Sequence, residues 1–177
     1  MITDIRLAGQ QLAAPRFDTP KKLVSWMGAI QAQDYAMARW AVGIRLKSAT
    51  ARSVGEAFSR GEILRTHVMR PTWHLVAAED IRWMLKLSAR RIRSANESLA
   101  KGRQLELTEQ LHYRCDRLLE KMLEGNRNLT KQQIGEELNR QGIAADTPRL
   151  TRLLMRAETE AVVCSGPFSG GRQTYAP

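Results

Sequence analysis

Gln31-Ala32-Gln33-Asp34 follows an apolar stretch that ends at Ile30. A Gln carboxamide is no base near neutral pH. Its oxygen can still orient a water molecule and face a developing positive charge. Two such amides act together only if they point the same way. In a continuing helix, Gln31 and Gln33 diverge by about 200°. In an extended segment, residues two apart project to one side. A joint role therefore requires the preceding helix to end near Ile30. Asp34 is the nearby group able to accept a proton or to stabilise a cation, and capping a helix or pairing with Arg39 is an equally good use for it. Taken by themselves, these are polar residues at a helix end.

A second constellation lies near the C-terminus. Arg149, Arg152 and Arg156 recur at i, i+3 and i+7. On a helix they cluster roughly 120° round from a stripe made by Leu150, Leu153 and Leu154. Such a helix, buried on the leucine side, presents three guanidiniums suited to phosphates or base edges. The competing reading is a solvated face paired internally with Glu158 or Glu160. Arg172, on an expected β-hairpin wing, is placed to reach a neighbouring phosphate.

The bulk charge agrees with a polyanionic partner. The 177 residues carry 28 Lys plus Arg against 18 Asp plus Glu, a net charge of +10. The basic residues are spread between regularly spaced apolar positions, so a folded surface carries them, and nucleic acid is the commonest partner of such a surface. Cys115 and Cys164 form no CxxC pair, and His67, His74 and His112, read as lacking a close Cys or carboxylate partner, make a poor metal site. Neither a disulfide framework nor a metal site is expected, and no cofactor. An early acid, Asp4, and no long apolar run argue against a signal peptide or a membrane span, leaving the cytoplasm as the expected location.

The elements needed to position these groups read as two similar units. In the second, residues 108–124 carry Leu111, Cys115, Leu118, Leu119 and Met122 at helical spacing. Thr130 with Gln133 makes a capping box for a helix whose buried stripe is Ile134 and Leu138. Asp146-Thr147-Pro148 starts a third helix. Residues 161–164 and 172–175 then read as a hairpin. Three helices followed by a hairpin is the winged-helix order. In the first unit, helices are expected over residues 2–11, from Asp18-Thr19-Pro20 through Ile30, over 36–46 and over 51–60, with a hairpin of strands at 62–66 and 69–76. His74 reads as a buried, satisfied histidine, and Trp26, Trp40, Trp73 and Trp83 most simply as core. The expected division is a first winged-helix unit over 1–77, a basic linker helix within 78–107 and a second unit over 108–177. The expected fold class is mainly α with small β-hairpin wings, as tandem winged-helix units.

Several motifs, in order, carry a resemblance. Gln31-Ala32-Gln33-Asp34, Arg39-Trp40-Ala41-Val42-Gly43, Ile63-Leu64-Arg65-Thr66 and Met69-Arg70-Pro71-Thr72-Trp73-His74-Leu75-Val76 with Glu79-Asp80 resemble the AlkZ-type winged-helix DNA glycosylases. That family unhooks interstrand crosslinks and removes N7-alkylguanine from DNA. The resemblance implies tandem winged helices and an active-site Gln-x-Gln element, matched by Gln31 and Gln33, with Asp34 beside it. It adds Arg65 and Arg70 to Arg149, Arg152, Arg156 and Arg172 as expected DNA-binding residues. Family members are about twice as long and contain a third winged helix, so the chain is expected to be a fragment or a shortened relative. The implied partner is duplex DNA, alkylated or crosslinked. The alternative is a non-catalytic or regulatory DNA-binding protein that kept the scaffold.

Overall fold

The computed structural model describes residues 1–177. In chain order its elements are α1 (Ile2–Gly9), α2 (Pro20–Met27), β1 (Ile30–Gln31), α3 (Tyr35–Gly43), α4 (Ala51–Ser59), β2 (Ile63–His67), β3 (Trp73–Ala77), α5 (Ile81–Lys101), α6 (Glu109–Leu123), β4 (Leu129–Thr130), α7 (Lys131–Arg140), α8 (Thr147–Thr159), β5 (Cys164–Ser165) and β6 (Thr174–Ala176). The fold is mainly α with small antiparallel sheets, in winged-helix order. It forms two compact units. One comprises Met1–Arg65 and Thr72–Ile81, the other Thr66–Pro71 and Arg82–Pro177. No helix is long and apolar enough to cross a membrane.

In the first unit the helix starts follow their caps. The Thr19 side chain accepts from the Lys22 N–H with Pro20 in the first turn, and Thr50 and Ser53 form a reciprocal capping box. Leu23 and Val24 of α2, Ala38 and Val42 of α3, Val54, Ala57 and Phe58 of α4, and Ile63 and Leu75 of the sheet make one buried cluster. α2 stops at Met27, where Gly28 takes φ 71°, a positive φ that glycine adopts more readily than other residues. Ile30, expected on the helix, lies in β1 instead, and β1 joins the expected hairpin to give a three-stranded sheet ordered β1-β3-β2. The second hairpin strand begins at Trp73 rather than at 69, because residue 69 has φ 64°, which breaks extended pairing. Trp26, Trp40 and Trp83 are exposed, contrary to the expected core placement. Hydrophobicity alone does not distinguish a core tryptophan from one facing solvent.

In the second unit, Thr108 caps α6, Thr130 and Gln133 complete the capping box of α7, and Asp146 caps α8 with Pro148 in its first turn. Cys115, Leu119, Ile134, Leu138, Leu150, Leu153 and Leu154 pack into one core. Gly135 lets α7 and α8 approach closely, since a Cβ there would stand 2.9 Å from Leu150 Cδ2. Burial of Leu154 is nearly complete, so Leu154→Ala is expected to cost roughly 2–5 kcal/mol, read from chemical denaturation. The wing strands are shifted from expectation. Ala161, expected to open the first strand, has φ 59°, and its N–H and that of Val162 close the end of α8 on Glu158 O and Ala157 O. Strand β5 therefore starts at Cys164. Arg172 sits in the turn, bridged to Ser169, and β6 begins at Thr174. A short β4 adds a third strand, in the order β4-β6-β5.

One acid of this unit reports on burial. Asp116 on α6 is pushed up from 3.8 to about 6, mainly by burial, with Arg156 opposing and Glu160 adding to the shift. The folded chain therefore holds this proton more tightly than the unfolded chain. Its stabilising contribution is complete below the unfolded value and is lost as pH rises through about 6. Asp116→Asn is expected to remove that fall in stability, making the variant more stable than the parent at neutral pH and not in acid. Melting temperature against pH is the measurement.

Candidate active site and basic surfaces

The chain is extended through Gln31 and Ala32 and bends at Gln33 and Asp34. Ile30 pairs with Leu75 and Gln31 with His74 in antiparallel register. The Ala32 N–H donates to Trp73 O at 2.7 Å, which carries the extended path one residue beyond β1. Side chains alternate along such a path. Ala32 turns into the core, and Gln31 and Gln33, before and after it, are both exposed. The preceding helix thus ends before Ile30, as a joint role requires. Gln33 Oε1 accepts a long hydrogen bond, 3.4 Å, from the Trp73 N–H. His74 is buried as expected, its Nδ1 2.8 Å from Thr72 O.

Asp34 ends the extended segment and opens α3. Its Oδ1 accepts from the Met37 N–H at 2.8 Å. The second carboxylate oxygen takes no hydrogen bond from the protein. The expected alternative pairing with Arg39 does not form, because the Arg39 guanidinium lies over the Tyr35 ring, 5.1 Å from its centre.

Arg65 lies elsewhere than sequence reasoning places it. It was expected at a DNA surface. It is 9% exposed, and Nε and Nη2 donate to Ala32 O and Gln33 O, each at 2.9 Å. Its guanidinium also stacks over the Trp73 ring at 4.4 Å. A planar fork binding two successive carbonyls fixes the backbone at Ala32 and Gln33. Arg65 is therefore a positioning residue for this segment. The signal in the sequence was an arginine inside Ile63-Leu64-Arg65-Thr66-His67-Val68, a run that is buried throughout. A cation in such a strand must be satisfied internally.

The arginines of α8 separate into different roles. Met155, Ala157, Glu158 and Thr159 are buried as well as the leucines, so the helix is covered on more than its leucine side. Part of that cover is α5, whose Asn96 Nδ2 donates to Arg152 O at 2.9 Å. Arg156, expected to be accessible, has a side chain only 12% exposed. It bridges Glu109, at 3.0 Å, and Glu160, at 2.9 Å. That ion pair holds the Glu109 carboxyl below its ordinary range. Arg156 is thus committed to joining α6 and α8. Arg149 is half-buried and donates to Glu106 O at 3.0 Å. Arg152 has no carboxylate partner. Burial, with Arg103 nearby, lowers its pKa, and burial with Arg152 nearby lowers that of Lys131. Arg172 is exposed and donates to Gln132 Oε1 at 3.0 Å, tying the wing turn to α7. Arg70 is exposed in the turn before β3. No group of three or more His, Cys, Asp or Glu side chains is arranged to hold a metal ion.

The family described as DNA glycosylase AlkZ-like matches residues 24–177. Among solved structures, the chain is similar to the Streptomyces sahachiroi DNA glycosylase AlkZ, with a TM-score of 0.75 and 20% sequence identity. The match covers 97% of this chain and 47% of that one, so the chain spans about half the length of the solved relative. No curated protein matches the chain.

Proposed function

The chain belongs to the AlkZ-like DNA glycosylase family, and from that membership we propose that it hydrolyses the N-glycosidic bond of N7-alkylguanine in duplex DNA, including guanine held in a crosslink. The observation that carries this reading is the Gln31-Ala32-Gln33 segment, whose two glutamines are exposed before and after buried Ala32 and whose backbone is clamped by Arg65. An N7-alkylated guanine is already cationic and leaves as a neutral base, so departure needs no general acid. What remains is to place a water and to tolerate positive charge on the sugar. The water oxygen bonds to the anomeric carbon as the glycosidic electron pair returns to the base, and the proton released from that water passes to bulk solvent. The amide oxygens of Gln31 and Gln33 are suited to orienting that water. The second oxygen of Asp34, left over from capping α3, is suited to offsetting the charge on the sugar.

Duplex binding in this reading falls to Arg70, Arg149, Arg152 and Arg172, with Arg65 and Arg156 acting inside the fold. Arg152, with Arg103 and Lys131 nearby, forms a cationic group that a phosphate would relieve. The use of Asp34 as a helix cap favours the alternative, a DNA-binding protein without catalysis. Release of free base from a duplex carrying N7-methylguanine separates the two. The proposal expects time-dependent release by this chain. Tight duplex binding with no release above the uncatalysed rate would favour the alternative.

A further inference from the structure

We infer that the exposed face of α5 is a docking surface for the sugar-phosphate backbone of duplex DNA. Arg82, Lys86 and Arg90 recur at i, i+4 and i+8, with Arg91 following, and all four are exposed. None makes an ion pair or a side-chain hydrogen bond within the chain. Other arginines of the protein do find carboxylates: Arg93 on the same helix pairs with Glu160, and Arg52 and Arg60 pair with Glu56. Like charges four residues apart on a helix repel, and no acid occurs on α5 before Glu97. An unrelieved row of this kind fits a polyanion. Successive members stand about 6 Å apart along the axis, a spacing suited to tracking a phosphate backbone.

A second row runs beside the first. Trp83 and Leu87 are 53% and 78% exposed, although both are large and apolar. At about 100° per residue they follow the cationic row round the same open side. Cations flanked by apolar side chains match phosphates flanked by deoxyribose. The opposite side of α5 is committed to the fold. Met84, Leu85, Ile92 and Ala100 are buried, and Asn96 is bonded to α8. The helix therefore cannot sink its length into a lipid surface, which would need a broad apolar face. This inference rests on the DNA-acting reading above and adds a binding element to it.

The test compares the parent chain with an Arg82→Ala, Lys86→Ala, Arg90→Ala variant, measuring duplex affinity across a salt series. All three positions are exposed, and helix content by circular dichroism checks the fold. The inference expects the slope of log affinity against log salt to flatten by about three units. A Trp83→Phe variant should also lose part of the tryptophan emission change seen when the parent binds duplex. An unchanged slope, with the parent still binding duplex and releasing base, would overturn the inference and leave the proposed function standing. If the parent binds no duplex, both fall. Binding to phosphatidylserine vesicles that the triple variant loses would assign the surface to lipid and overturn the inference.

Discussion

Replacing both glutamines, Gln31→Ala and Gln33→Ala together, is expected to slow release of N7-methylguanine at least about a hundredfold, the scale on which a preorganised polar group aimed at the transition state acts. Duplex affinity and melting temperature should stay close to those of the parent. Both side chains are exposed, Ala32 supplies the core contact between them, and the backbone is held by Arg65 rather than by the amides. The loss should appear in the single-turnover rate on saturated duplex, because groups that orient water act mostly in the transition state. Asp34→Asn is the informative companion. Asparagine caps a helix as well as aspartate does, so α3 keeps its start while the negative charge goes. A reduced rate with unchanged stability would assign the carboxylate an electrostatic role. An unchanged rate would leave it as a cap. Undiminished release by the double glutamine variant would remove the catalytic role from this segment.

Glu158→Ala should lower stability by roughly 3–5 kcal/mol. Glu158 is 1% exposed, and its Oε2 lies 2.6 Å from Nδ1 of His67, itself buried. The pair ties the Thr66–Pro71 segment to the last turn of α8 within the second unit. Removing one partner takes a buried hydrogen bond from the other, which costs more than the pair contributes. Urea denaturation measures the change. His67→Ala should fall on the same scale, and the double variant should be less destabilised than the sum of the two. Additive losses would show that the two side chains are not coupled.

Helix starts were legible in the sequence because their chemistry is local. Thr19 with Pro20, Thr130 with Gln133 and Asp146 with Pro148 satisfy N–H groups within one turn, and each appears where the residues announce it. The leucine stripe of α8 was legible for a related reason, since periodicity marks the side that must leave water. The extended path through Gln31 and Ala32 was visible only as a condition. The glycine that ends α2 made it attainable, and pairing of β1 with β3, more than forty residues on, fulfilled it.

Long-range partners decided the rest. Which arginines are free depends on which carboxylates and carbonyls come within reach. Arg156 met Glu109, 47 residues away, and Arg65 met Ala32 O, 33 residues away, so two expected surface cations became internal ties. The buried bond between His67 and Glu158 spans 91 residues and leaves no trace in local pattern. The exposed tryptophans have the same origin, because a helix's own spacing does not say how much of its circumference other elements will cover. By itself the sequence determined where helices begin, which stripes are apolar, the net charge and the order of the motifs, all set by interactions within a few residues. The tertiary structure decided the pairing of charges, the wing registers and the strand pairing that holds Gln31 and Ala32, because each depends on chain segments that only folding brings together.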